Sequence, residues 1–244
     1  MKLNSTLIAS FIVGLGLVTL HAQPQGPPSP SLNGAIAKLF GDNPDFTASM
    51  DFHFTRSGGN EINMPGKMAH TENKSRFDMD LSNMQGGGMP PQALARMKQM
   101  GMDSMYTITL LDKKITYIVY PNMKAYVENP MPAGESNPEN YKADATKVGN
   151  ETIDGHDCVK NNVVMTGPDG VQHKATVWNA SDLKQFPIKI ESATDSGDSM
   201  VMHFKDVKLG KPDAAQFEPP TDYTKYDTMM NLMMSRYRGA GGPQ

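Results

Sequence analysis

The chain is almost without cysteine. Its one thiol, Cys158, has no partner for an internal disulfide, which excludes a scaffold stapled by oxidation. Cys158 reads instead as a small buried hydrophobe within a strand. Basic charge is also short: 23 Lys and Arg stand against 26 Asp and Glu, a formal net charge of −3. A nucleic-acid binder would show a basic patch or stripe, so that class is excluded. Histidine is sparse, and no two of the six form the HxH or HxxxH pairs usual in zinc sites. There is no G-x-G-x-x-G, no phosphate loop with its lysine and no nucleophile elbow. No catalytic residue and no cofactor are expected, and the chain reads as a non-enzyme.

The longest apolar run, Leu7 to Leu20, is shorter than the ~20 residues a spanning helix needs. Lys2 before it and Ala22 after it make residues 1–22 a secretory signal peptide, cut near Ala22. The mature protein is then expected in the periplasm or secreted. The absence of cysteine at the processing site leaves nowhere for a lipid anchor. "QPQGPPSPS" (23–31) is a proline-rich leader expected to be disordered, as is the tail 239–244. One domain, 32–238, lies between them.

Within that domain the period is mostly two. After a short amphipathic helix in "LNGAIAKLFG", the stretch "FTASMDFHF" alternates strictly. Phe46, Ala48, Met50, Phe52 and Phe54 are apolar, with polar residues between them. Further strands are expected in 62–70, 75–82, 105–111, 115–120, 124–129, 158–165, 171–179, 188–194 and 200–207. Turn signals such as "GPDG" and "DSGD" fall between them. Their close spacing points to an antiparallel meander. The Gly/Met/Pro-rich stretch 84–104 and a linker at 129–141 interrupt it.

The end of the chain returns to helical spacing. Tyr226, Met229, Met230, Met233, Met234 and Tyr237 share one helix face, with Leu232 the exception. Such a helix is too short to stand alone in water, so it is expected to dock on an apolar surface. Methionine is abundant, 20 residues in all. A second group, Met97, Met100, Met102 and Met105, makes a thioether site for soft Cu(I) the alternative reading.

Three stretches carry a family resemblance. They are "GKMAHTENKSRFDMDLS" (66–82), "ITYIVYPNMKAYVE" (115–128), and the span from "VGNETIDGHDC" (148–158) to "FEPPTDY" (217–223). In this order they resemble the periplasmic lipoprotein-carrier (LolA-like) superfamily, in particular a branch classed as a domain of unknown function. The resemblance implies a mainly β fold: a single curved antiparallel sheet, an unclosed half-barrel with short helices covering its concave face. It also implies a non-enzymatic carrier holding lipid or lipoprotein acyl chains in an apolar cavity. Phe46, Met50, Phe52, Phe54, Met200, Met202 and Phe204 would line the wall, and Met229, Met230, Met233 and Met234 the lid. Arg76 lies near the place of an arginine that holds the lid in well-studied carriers, but its local pattern differs and the role is not carried over. The same fold occurs in regulators that monitor lipoprotein state, so an envelope-stress sensor with an envelope protein partner is the other reading. A monomer is expected.

Overall fold

The computed structural model describes residues 34–41, 43, 45–86, 90–131, 138–168, 170–193 and 197–239. The expected signal peptide, the proline-rich leader and the tail beyond 239 lie outside them.

Strand β1 (Phe46–Thr55) realises the alternation read from the sequence, with every second residue from Phe46 to Phe52 buried. It sits in the middle of one large sheet. On one side the chain meanders outward through β2 (Glu61–Thr71), β3 (Lys74–Asp80), β5 (Ser104–Leu110), β6 (Ile115–Tyr120) and β7 (Ala125–Pro130). The two-residue β4 (Gln85–Gly86) pairs off this path with β2. On the other side lie β12 (Ser199–Leu209), β11 (Phe186–Ala193), β10 (Gln172–Ala180), β9 (His156–Thr166) and β8 (Lys142–Ile153), in that order outward from β1. The edges, β8 and the short β13 (Thr224–Tyr226), do not pair with each other, so the sheet is unclosed. All pairings are antiparallel except β13 on β7, a small departure from the expected purely antiparallel sheet.

Two meanders meeting at β1 and β12 require one long crossover, from β7 at one edge to β8 at the other. The expected linker serves this purpose. Its end is structural: Tyr141 is buried in the main core and the turn Pro138–Asn140 lies against α1 (Gly34–Leu39). β8 was not anticipated as a strand. Its side chains are exposed on both faces for most of its length, so it carries no apolar period. The hairpin to β9 turns on Asp154 and Gly155, both at positive φ (49° and 85°), with Ile153 opposite His156. That is the two-residue type I′ geometry for which Asp-Gly is preferred.

The Met-rich interruption holds α2 (Pro91–Met100), closed by Gly101 in the left-handed conformation at φ 75°. The terminal helix α3 spans Met229–Gly239. Thr228 caps it, its Oγ1 accepting from Asn231 N–H at 3.1 Å. Among the described residues no helix is long and apolar enough to cross a membrane.

Candidate functional site

The pairing register places Phe46, Ala48, Met50, Phe52 and Phe54 on the same face as Met68, Met64, Phe204, Met202 and Met200 of the flanking strands. This is the face the helices cover. Phe46, Met50, Phe52, Met202 and Phe204 are at most 2% exposed, whereas Phe54 and Met200, at the strand ends, are half-buried.

What fills this face is the chain itself. Phe40, just past α1, lies with its ring 4.7 Å from Phe46, 5.7 Å from Phe204 and 5.8 Å from Phe186. Phe46 and Phe186 meet edge-on at 4.8 Å although β12 lies between their strands. Two strand spacings are roughly 9.5 Å, so the rings converge across the inside of a curl. Each aromatic pair adds roughly 0.5–1.5 kcal/mol beyond its buried area. The buried His70 ring stacks on Phe46 at 5.4 Å. Exposures this low leave no water-sized void beside these side chains. The centre of the expected cavity is therefore occupied by Phe40 and its neighbours.

Gly66 shows how tight the floor is. A Cβ there would come within 2.8 Å of the Phe77 ring and 2.6 Å of the Asp78 carbonyl oxygen. Glycine is what lets the ring lie flat on β2. Three polar residues that sequence reasoning did not single out, Ser75, Thr107 and Thr109, are also buried on this face. They break the apolar period of β3 and β5 and so left no hydrophobic signal.

The helices close the rest. Leu94 and Met97 of α2 pack on the main core. From α3, Leu232 is fully buried, and half-buried Met229 and Met233 flank it against Tyr120, Met123, Ala125 and Val127. This corrects the expected helix face. Met230 is 66% and Met234 47% exposed, so they point away from the sheet, and the supposed exception Leu232 is the anchor. The spacing i, i+3, i+4 fits Met229, Leu232 and Met233 as well as it fits the all-methionine stripe. Composition favoured the wrong one. Of the other methionine group, Met102 is buried, Met97 and Met105 are half-buried, and Met100 faces solvent at 39%.

Several charged pairs lie on the opposite, convex face. Arg76 pairs there with Asp78 at 2.6 Å and lies 3.7 Å above the Tyr106 ring, outside the half-barrel. Lys205 meets Asp51 at 2.7 Å, and Lys160 and Lys189 flank the buried Trp178 at 4.7 and 4.5 Å. A satellite core of Tyr106, Ile108, Val119 and Phe217 lies on this side, so the segment carrying "FEPPTDY" packs Phe217 and Tyr223 over the outside of the sheet. A cleft of about 660 Å³ opens beside Arg76, lined by both charges and amides. Burial pushes the Tyr120 phenol up to about 12 and raises the Cys158 thiol, so neither supplies an anion at neutral pH. Among the described residues no group of three or more His, Cys, Asp or Glu is placed to hold a metal ion.

No protein-family profile and no curated protein matches the sequence. Solved structures with a similar chain path do exist. An uncharacterised conserved protein from Thermus thermophilus matches with a TM-score of 0.45 and 10% identity, over 80% of this chain and 95% of that one. A LolA superfamily protein from Nitrosomonas europaea matches at 0.39 and 13%, over 76% and 94%. The Pseudomonas aeruginosa MucA/MucB complex matches at 0.38 and 13%, over 78% of this chain and 61% of that one. At these values no correspondence of individual residues is drawn.

Proposed function

We propose that the protein is a non-enzymatic carrier of the bacterial envelope that takes an acyl chain onto the concave face of its sheet. One observation carries this reading: an extended Phe- and Met-lined face is covered by short helices and a crossover rather than by a second sheet or a helical layer. The three α-helices among the described residues have 6, 10 and 11 residues. Helices of that length are marginal in water and stay in place mainly through their apolar anchors, with α3 also donating from Arg236 to the Met123 carbonyl at 2.7 Å and from Ser235 to the Tyr226 hydroxyl at 3.0 Å. A long apolar ligand offers the sheet the same kind of surface that Phe40, Met97 and Leu232 offer it, so it can take their place. The convex face, with its paired charges, remains in water. The covered state is then the unloaded one.

The test uses mature protein purified from a periplasmic extract. Native mass spectrometry should find an acylated species bound, and the delipidated protein should take up a fluorescent fatty acid. Replacing Phe40 with alanine removes the plug from the aromatic cluster at a cost of about 3–5 kcal/mol in stability. It should speed probe uptake. A protein that carries no acylated species and takes up no probe, with or without Phe40, is not such a carrier.

A further inference from the structure

Parts of both methionine groups of the sequence meet in one apolar cluster, joined there by Met123. Met97 of α2, Met102 in the turn after it, Met105 of β5, Met123 beyond β6, and Met229 and Met233 of α3 belong to a single cluster where the helices meet the sheet. Met102 and Met123 are buried at its base, while the other four are half-buried and open to solvent at its rim. Met100, Met230 and Met234 are excluded.

We propose that this cluster binds a soft monovalent cation, Cu(I) or Ag(I), through thioether sulfur alone. Thioethers select such ions over Zn(II) or Mg(II), which want nitrogen or oxygen donors. The surroundings supply few competing donors. The other members of the cluster are Tyr120, Tyr226, Leu232 and small or branched aliphatic residues, and the Tyr120 phenol stays protonated at neutral pH. Cys158 sits in a different cluster, with Trp178, Ala180 and Ile188. Methionine's three rotatable bonds let the rim sulfurs turn inward onto an ion without moving the backbone. Because the donors come from α2, α3 and β5, a bound ion would fasten both helices to the sheet. The site thus differs in chemistry from the acyl face, and either reading can fail without the other.

Thioethers lose no proton on binding, so affinity should not change between pH 7.5 and 5.5, unlike that of a histidine site. Ag(I) titrated into the mature protein by calorimetry, and Cu(I) titrated under ascorbate against a chromophoric chelator, should each give one tight site. Changing Met97, Met105, Met229 and Met233 together to leucine keeps volume and apolarity. It should weaken binding at least tenfold while circular dichroism stays unchanged. The control M100L/M230L/M234L should bind like wild type. On wild-type protein with 13C-labelled methionine methyls, Ag(I) should shift the resonances of the cluster and leave those of Met230 and Met234 in place. This last measurement does not depend on any variant folding. Affinity no better than that of free methionine, full binding by the fourfold leucine variant, a drop in affinity at pH 5.5, or shifts confined to the exposed methionines would each overturn the site.

Discussion

Glu151 accepts a hydrogen bond from the indole N–H of Trp178 at 2.8 Å and pairs with Lys160 at 3.4 Å. The indole bond first, and Lys160 after it, hold the carboxyl below the usual carboxylate range. A carboxylate with a lowered folded pKa stabilises fully above its unfolded value of about 4.3, and that contribution disappears as pH falls through the folded value. Trp178 is the chain's one tryptophan, so its emission reports on this site and on no other indole. Emission should hold constant from pH 7 to 5 and change with a midpoint below about 4.3, the ordinary glutamate value. Glu151→Gln keeps an acceptor oxygen but cannot titrate, and its emission should stay flat. A midpoint at or above the ordinary glutamate value would separate the indole from the carboxylate. In the sequence Glu151 stands out only as part of the stretch "VGNETIDGHDC" that carries the resemblance. Its partner comes from β10, on the far side of β9, and no local pattern names a partner two strands away. Phe40 was hidden for a similar reason: it follows a helix, and its aromatic neighbours belong to β1, β11 and β12.

At the scale of elements, the strands with one buried face were legible and the others were not. β1 and β12 announce themselves through alternation, but β8 is exposed on both sides and could be found only through its Asp-Gly turn. α2 was obscured by the glycines and prolines around it, and α3 was legible as a helix but rotated about its axis. The rotation makes a sharp forecast. Leu232→Ala should undock α3, lowering the urea midpoint by the equivalent of about 2–5 kcal/mol, the range for buried leucine. The loss cannot exceed what α3 contributes in total, so it should not grow when Met229 and Met233 are also truncated. Met230→Ala should change stability by no more than about 0.5 kcal/mol, as for other exposed positions. Limited proteolysis should cut the Leu232 variant within 229–239 and spare the Met230 variant. Equal effects of the two would restore the methionine-stripe face.

At the scale of the molecule, the sheet is two meanders joined where β1 pairs with β12, Phe46 facing Leu209 and Thr55 facing Ser199. Nothing local in the sequence encodes that union. Alternation tells which face of a strand is buried but not which strand lies beside it, so fold class was legible and strand order was not. The union also sets how stability should be distributed. β1, β2, β11 and β12 have partners on both sides and the aromatic plug on their concave face. Among the described residues β8 and β13 each have a partner on one side only, and the three α-helices rest on a few apolar side chains and, for α3, on hydrogen bonds from Ser235 and Arg236. Amide exchange slows with burial and with cooperative partners, and local openings span from near zero to the global free energy. Exchange should therefore be slowest in β1, β11 and β12, and fastest in β8, β13 and the helices. Adding a fatty acid should leave the central strands unchanged. It should speed exchange in α1 and α3, because a ligand on the concave face takes the surface that their anchors occupied. Ag(I) should do the reverse to α2 and α3 by tying both to β5. Helices as slow as β1 before any ligand is added would mean that they are part of the permanent core, and a removable cover would have no physical basis.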